Sequence, residues 1–227
     1  MKAKGTNISR RDLLAAGALS AAGLAASALI PTQQAHADES EARSIPTPAI
    51  AVQIKDKEGK VVDSYNPLSR ISSLTNPPIK VKDASCETKA NSDGSFTVVS
   101  NSTIALRNAD TTAEESYQTE NASATVSINY IFSRGQITVR SGSVNITWIA
   151  SNVNMYSRYL IVAQGPYTGT GDTIVEQFTG NTHTIITNFG PIEYVPSGAT
   201  HMNICRFESA ILINGTEDYF FDVEVTV

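Results

Sequence analysis

From residue 124 to residue 149, apolar and polar side chains alternate with a period of two. That pattern fits strands with one face buried and the other wet. Ala124, Val126, Ile128 and Tyr130 alternate with Thr125, Ser127 and Asn129. Ser133-Arg134-Gly135-Gln136 interrupts the run, and Gly135 is free to take the positive φ of a tight hairpin. Ile137, Thr138 and Val139 begin the return. Ser141-Gly142-Ser143 reads as a second break, and Val144, Ile146 and Trp148 then share one face of a third run. The same period closes the chain: Tyr219, Phe221, Val223, Val225 and Val227 face one way, and Phe220, Asp222, Glu224 and Thr226 the other.

Around this centre the pattern predicts strands over 49–56 and 60–65, turning at Lys57-Glu58-Gly59, and a short helix near 68–74. A polar loop is expected over 81–94, two short strands over 96–100 and 103–106, and a loop or surface helix over 107–121. Further strands are predicted over 159–164, 202–207 and 210–213. Residues 173–178 and 182–189 read as a hairpin around Thr179-Gly180-Asn181. About nine to eleven short strands separated by turn signals predict an all-β fold, an antiparallel sandwich or a barrel. The expected organisation is a segment 1–37, an irregular lead-in with a hairpin and a helix over 38–91, and a sandwich domain over 92–227.

Residues 1–37 read as an export signal rather than as part of the fold. Lys2, Lys4, Arg10 and Arg11 precede an Ala-rich apolar stretch over 13–30, and Ala35-His36-Ala37 before Asp38 is a small-x-small cleavage site. The run Ser9-Arg10-Arg11-Asp12-Leu13-Leu14 resembles the twin-arginine (Tat) signal of bacteria. The resemblance covers the signal only. It implies a bacterial protein exported in the folded state, with the Tat translocase and signal peptidase as partners, and either secreted or held in the envelope. The cleavage site and mild hydrophobicity weigh against an uncleaved anchor, so no membrane association is expected after cleavage.

Removing four basic residues and one acid with this segment takes the net charge from −5 to −8. Residues 90–227 carry five arginines, no lysine and thirteen acids. Such a body opposes nucleic acid and anionic membrane surfaces. Two cysteines, Cys86 and Cys205, are an even number in an exported chain, and one long-range disulfide between them is the default.

Candidate chemistry is sparse. No CxxC, GxGxxG or GxSxG occurs. His201, Asn203 and Cys205 share strand parity, but His201 and Cys205 would stand about 13 Å apart, too far for a nucleophile–base pair. His183 is the other histidine of the body. Glu176, Glu193, Glu208 and Asp222 with Glu224 are the candidate carboxylates for a glycan hydrolase. Asp93 with Asp110, Glu114 and Glu115 supplies hard oxygens for a weak calcium site, the one cofactor entertained. Tyr156, Tyr159 and Tyr167 flank a Gly- and Thr-rich segment and form a candidate ligand patch, while Trp148 has core parity. The body resembles the all-β modules of secreted and cell-surface bacterial proteins, with the immunoglobulin-like sandwich the nearest architecture. The resemblance is one of pattern, and fold does not imply function. With no catalytic motif in the body, the expected function is a non-enzymatic binding or adhesion module in the envelope or medium, using loops at one end of the sandwich, with a cell-wall or host glycan or protein as ligand. A small secreted hydrolase and a secreted inhibitor or accessory subunit are the alternatives.

Overall fold

The computed structural model describes residues 45–66, 69–72, 78–106, 122–148, 153–167, 171–198, 200–213, 215 and 217–227. These form two antiparallel sheets packed face to face, the sandwich that the alternation predicts. The chain begins in a front sheet with β1 (Ala49–Asp56), β2 (Val61–Asn66) and β3 (Ser69–Ser72). It crosses to a back sheet for β4 (Ile79–Ala90), β5 (Phe96–Leu106), β6 (Ala122–Ser133) and β7 (Gln136–Trp148). It returns to the front for β8 (Val153–Pro166) and β9 (Asp172–Phe178), and goes back again for β10 (Thr182–Ile186) and β11 (Ile192–Glu193). It finishes in the front with β12 (His201–Ile213) and β13 (Glu217–Thr226). The front order is β3-β2-β1-β13-β12-β8-β9 and the back order β10-β7-β6-β5-β4, with β11 also on β7.

The core lies between the sheets. Val126, Ile128, Tyr130, Val139 and Ile146 come from the back, and Leu160, Val162, Phe207, Phe221 and Val223 from the front. The Arg134-Gly135 turn is as expected: both residues have positive φ, the signature of a two-residue hairpin loop. Trp148 pairs with Ala122 through its backbone, and its side chain lies outside the described residues.

Several local expectations fail for identifiable reasons. The expected boundary near residue 91 does not divide the fold, because β1 pairs with β13 and β4 with β5 along its whole length. Buried Asp63 of β2 also accepts the Val81 amide of β4 at 2.7 Å, joining front to back. The helix near 68–74 is replaced by β3, whose Ser69–Ser72 backbone pairs with Asp63–Asn66. The polar loop over 81–94 is mostly β4, an edge strand whose polar residues mask its alternation.

Ser141-Gly142-Ser143 is not a break, since β7 runs through it. A Cβ on Gly142 would lie 2.4 Å from Val162 Cγ2 and 2.6 Å from Cys205 Sγ. The glycine lets the two sheets approach rather than turning the chain. The irregularity in β7 is instead a bulge at Arg140, where Asn129 pairs with Ser141 but Tyr130 with Val139. Its displaced ladder groups find other partners: Gln164 Oε1 accepts from the Val139 amide, Thr187 Oγ1 donates to Val139 O, and Thr187 N donates to Arg140 O.

The expected hairpin around residues 179–181 is a crossing. β9 pairs with β8 in the front sheet and β10 with β7 in the back. Arg158 holds that crossing from below. Its Nη1 donates to Thr179 O, Gly180 O and Asn181 Oδ1, and its Nε and Nη2 to Met155 O. The guanidinium points inward because β8 bulges at Ser157 (φ 47), opposite Ser209 of β12. Burial pulls the Arg158 pKa down, and the ring of oxygens compensates the charge with hydrogen bonds.

The expected Cys86–Cys205 disulfide is absent, and both thiols are free. Cys205 is buried against Gly142 of β7. Cys86 lies in β4, linked to β7 only through Ser100 of β5 and Val126 of β6. Three strand spacings are about 14 Å, whereas a disulfide needs Cα atoms within about 7 Å.

Candidate functional site

The outward-facing rows of the front sheet bring together charged and aromatic residues far apart in sequence. The β12–β13 register sets Glu208 beside Asp222 and Arg206 beside Glu224. The β12–β8 register adds Tyr159 beside Glu208, and Tyr156 beside Ala210, whose other neighbour is Phe220. On a regular strand Tyr156 and Tyr159 would point to opposite faces. The bulge between them absorbs the odd residue and turns both outward.

Arg206 sits at the centre. Its Nη2 lies 2.7 Å from Glu208 Oε1 and 3.0 Å from Asp222 Oδ2, and its Nη1 3.9 Å from Glu224 Oε2. Lys55 of β1 places Nζ against Asp222 Oδ2. Arg206 and Asp222 are each only 8% exposed, low for an outward face. Three carboxylates therefore share two cations in a place with little water. Burial holds Glu208 and Glu224 above the ordinary carboxylate range, against the pull of Arg206. For Arg206, burial works against the charge, and Asp222, Glu208 and Glu224 outweigh it and raise the pKa. Tyr167 belongs to the same face. Its phenol is pushed up by burial and by Glu224, with Arg206 acting the other way.

A pH dependence follows. Glu208 and Glu224 bind their protons more tightly folded than unfolded, so their contribution to stability is fully present below the unfolded value, about 4.5. It is lost as pH rises through the raised folded values. Urea midpoints measured upward from pH 4.5 should show that fall in the wild type and a shallower one in Glu208→Gln/Glu224→Gln. Parallel curves would remove these two groups from the explanation.

The other expected site residues are dispersed. Asp93 caps the β4–β5 turn: its Oδ1 accepts from the Ser95 amide and hydroxyl, its Oδ2 faces Arg140 Nη1 at 3.5 Å, and these bonds lower its pKa. Asp110, Glu114 and Glu115 lie outside the described residues. Among the described residues no group of three or more His, Cys, Asp or Glu could hold a metal ion. The signal residues Arg10, Arg11, Ala35, Ala37 and Asp38 also lie outside.

His201 bonds to Thr200, Asn203 secures the 195–197 loop, and Cys205 is a buried thiol whose pKa burial raises. The three share parity, as expected, but Asn203 and Cys205 are buried and His201 is half-buried at the start of β12. Glu176 of β9 meets His183 Nε2 at 2.8 Å across the crossing, with the imidazole stacked on Phe178 at 4.8 Å. Glu193 lies in β11 beside Gln136.

The tyrosines were expected at a loop end of the sandwich; Tyr156 and Tyr159 are on a sheet face instead. Sequence reasoning missed Arg206 and Lys55 altogether. Arg206, one of five arginines in an acidic body and placed between Asn203 and Glu208, was the one available signal. Comparisons with protein-family models, with curated proteins and with solved structures find no match.

Proposed function

We propose that this chain is an exported, non-enzymatic binding module whose ligand lies across the outward face of the front sheet. The observation that carries this reading is the clustering of exposed aromatics. Tyr156, Tyr167 and Phe220 are 39%, 40% and 41% exposed. They account for three of the five exposed large apolar side chains among the described residues, and all three surround the Arg206 cluster. Isolated exposed apolar residues need no explanation, but several on one face with polar groups between them are the usual composition of a recognition surface. The charged centre is rigid: Arg206 is anchored on three carboxylates, so polar groups are presented in fixed positions. The twin-arginine signal supplies the location, outside the cytoplasmic membrane.

The hydrolase reading has Glu208 and Asp222 as its best pair. Both carboxylates are engaged by Arg206, and Asp222 also by Lys55, which suits a held framework better than an acid–base pair.

The test is incubation of the purified protein with cell-wall material, mucin and soluble glycans, assaying bound protein and released fragments together. Saturable binding without fragments is expected, and Tyr156→Ala and Tyr159→Ala should each weaken it about tenfold, ~1.4 kcal/mol. Release of sugars or peptides would replace this reading with the hydrolase.

A further inference from the structure

We propose that the outward face of the front sheet takes a glycan bearing protonated amines, an unacetylated amino-hexose chain, with sugar rings on Tyr156 and Tyr159 and an ammonium group beside Glu208. The inference rests on the tyrosine face being the binding face, and adds the ligand's chemistry.

Three features select this ligand. The first is the balance of charge. Among the described residues Glu208, Asp222 and Glu224 face two cations, Arg206 and Lys55, so with the three carboxylates ionised one negative charge is left over in a poorly hydrated cluster. An anionic chain would deepen that imbalance, a neutral chain would leave it, and an ammonium would cancel it. Glu208 is where it can enter, because its side chain is 26% exposed against 11% for Asp222 and 15% for Glu224.

The second feature is the aromatic setting. Tyr159 is the cross-strand neighbour of Glu208, and Tyr156 follows beyond the bulge. A cation entering at Glu208 meets a tyrosine ring as well as a carboxylate, which adds cation–π attraction. Phe220 and Tyr167 extend the apolar surface to either side.

The third feature separates a glycan from a peptide. Extended peptides usually bind by adding a strand to an open sheet edge. Here β13 is paired to β12 and β1, β12 to β13 and β8, and β8 to β12 and β9. No backbone edge is offered at this face, so contact must come from side chains, and sugar rings present apolar faces that lie flat on tyrosine.

The experiment is calorimetric titration of the protein with glucosamine oligomers, the same oligomers after N-acetylation, and an anionic uronic-acid-containing glycan. The wild type should bind the free-amine oligomer at least tenfold more tightly than the acetylated one, and the anionic glycan not at all. Glu208→Gln should abolish the preference while the acetylated oligomer still binds. Glu87→Gln, an exposed acid on the back sheet, should leave the preference intact; equal losses in the two variants would mean diffuse attraction to an acidic protein and overturn the proposal. Equal affinity for free and acetylated oligomers, or tighter binding of the anionic glycan, would overturn the amine inference. The face reading survives that result if Tyr156→Ala and Tyr159→Ala still lose binding. If those variants bind like the wild type, the face itself is wrong. Binding of none of the three glycans would overturn the proposal outright.

Discussion

Arg158→Met should destabilise the fold by about 3 kcal/mol or more. The substitution keeps most of the aliphatic volume and removes every donor. Met155 O, Thr179 O, Gly180 O and Asn181 Oδ1 then lose the group that satisfies them, at the point where the chain leaves the front sheet for the back. Met155 O is the buried acceptor among them, and leaving it without a partner costs about 1–3 kcal/mol. The oxygens of exposed Thr179, Gly180 and Asn181 lose a charge-assisted bond and turn to water; the rest of the loss comes from the crossing they no longer hold. The crossing is also anchored to β7 by the Ile146 amide on Asn181 O, so loosening it exposes an edge of each sheet. Arg158→Lys should recover only part of the loss, because an ammonium lacks the planar fork that spans both sides of the bulge. Urea denaturation of the three proteins checks this; a loss below about 1 kcal/mol for the methionine variant would show that the crossing holds without its arginine.

Gly142→Ala should cost about 2 kcal/mol, although Gly to Ala within a strand is ordinarily mildly favourable. The added methyl would sit 2.4 Å from Val162 Cγ2 and 2.6 Å from Cys205 Sγ, both in the closed core between the sheets. Neither neighbour is the free end of a long side chain, so the sheets must move apart or side chains must leave their rotamers. The cycle with Val162→Ala separates this cause from any other. Alone, Val162→Ala opens a cavity and destabilises; combined with Gly142→Ala the two should be less harmful than their sum, by about 1 kcal/mol. Strict additivity of the measured unfolding energies would mean that the steric account is wrong.

Where neighbours along the chain decide the structure, the sequence could be read. The Arg134-Gly135 hairpin, the β1–β2 turn at Gly59 and the alternation of β13 all carry local signals, and all appear as expected. What required distant partners was lost. Thr179-Gly180-Asn181 carries good hairpin residues, and the partners that make it a crossing are distant in sequence: β8 for β9, β7 for β10, and a buried arginine twenty-one residues upstream of Thr179. Gly142 looks like punctuation because glycine usually turns a chain, whereas here the missing side chain is what matters.

β4 looks like loop because edge strands carry polar residues on both faces. The disulfide was inferred from an even cysteine count, which contains no geometry. For the site, Tyr156 and Tyr159 could be grouped by proximity, but a regular strand would have parted them. The cluster of Glu208, Asp222 and Glu224 around Arg206 exists only through the β12–β13 register. Asp222 and Glu224 were expected on a solvated face; the face was right, and its wetness was not.

The account stands most directly on one measurement: amide and side-chain chemical-shift changes across the isotope-labelled protein as a bound glycan is titrated in. The largest changes are expected on the outward positions of β8, β12 and β13, at Tyr156, Tyr159, Glu208, Arg206 and Phe220. The Ser/Thr/Asn face of the back sheet, at Ser127, Ser143 and Asn145, should stay unmoved. Changes concentrated on that back face, or on loops at one end of the sandwich, would contradict the assignment of the front sheet as the binding surface.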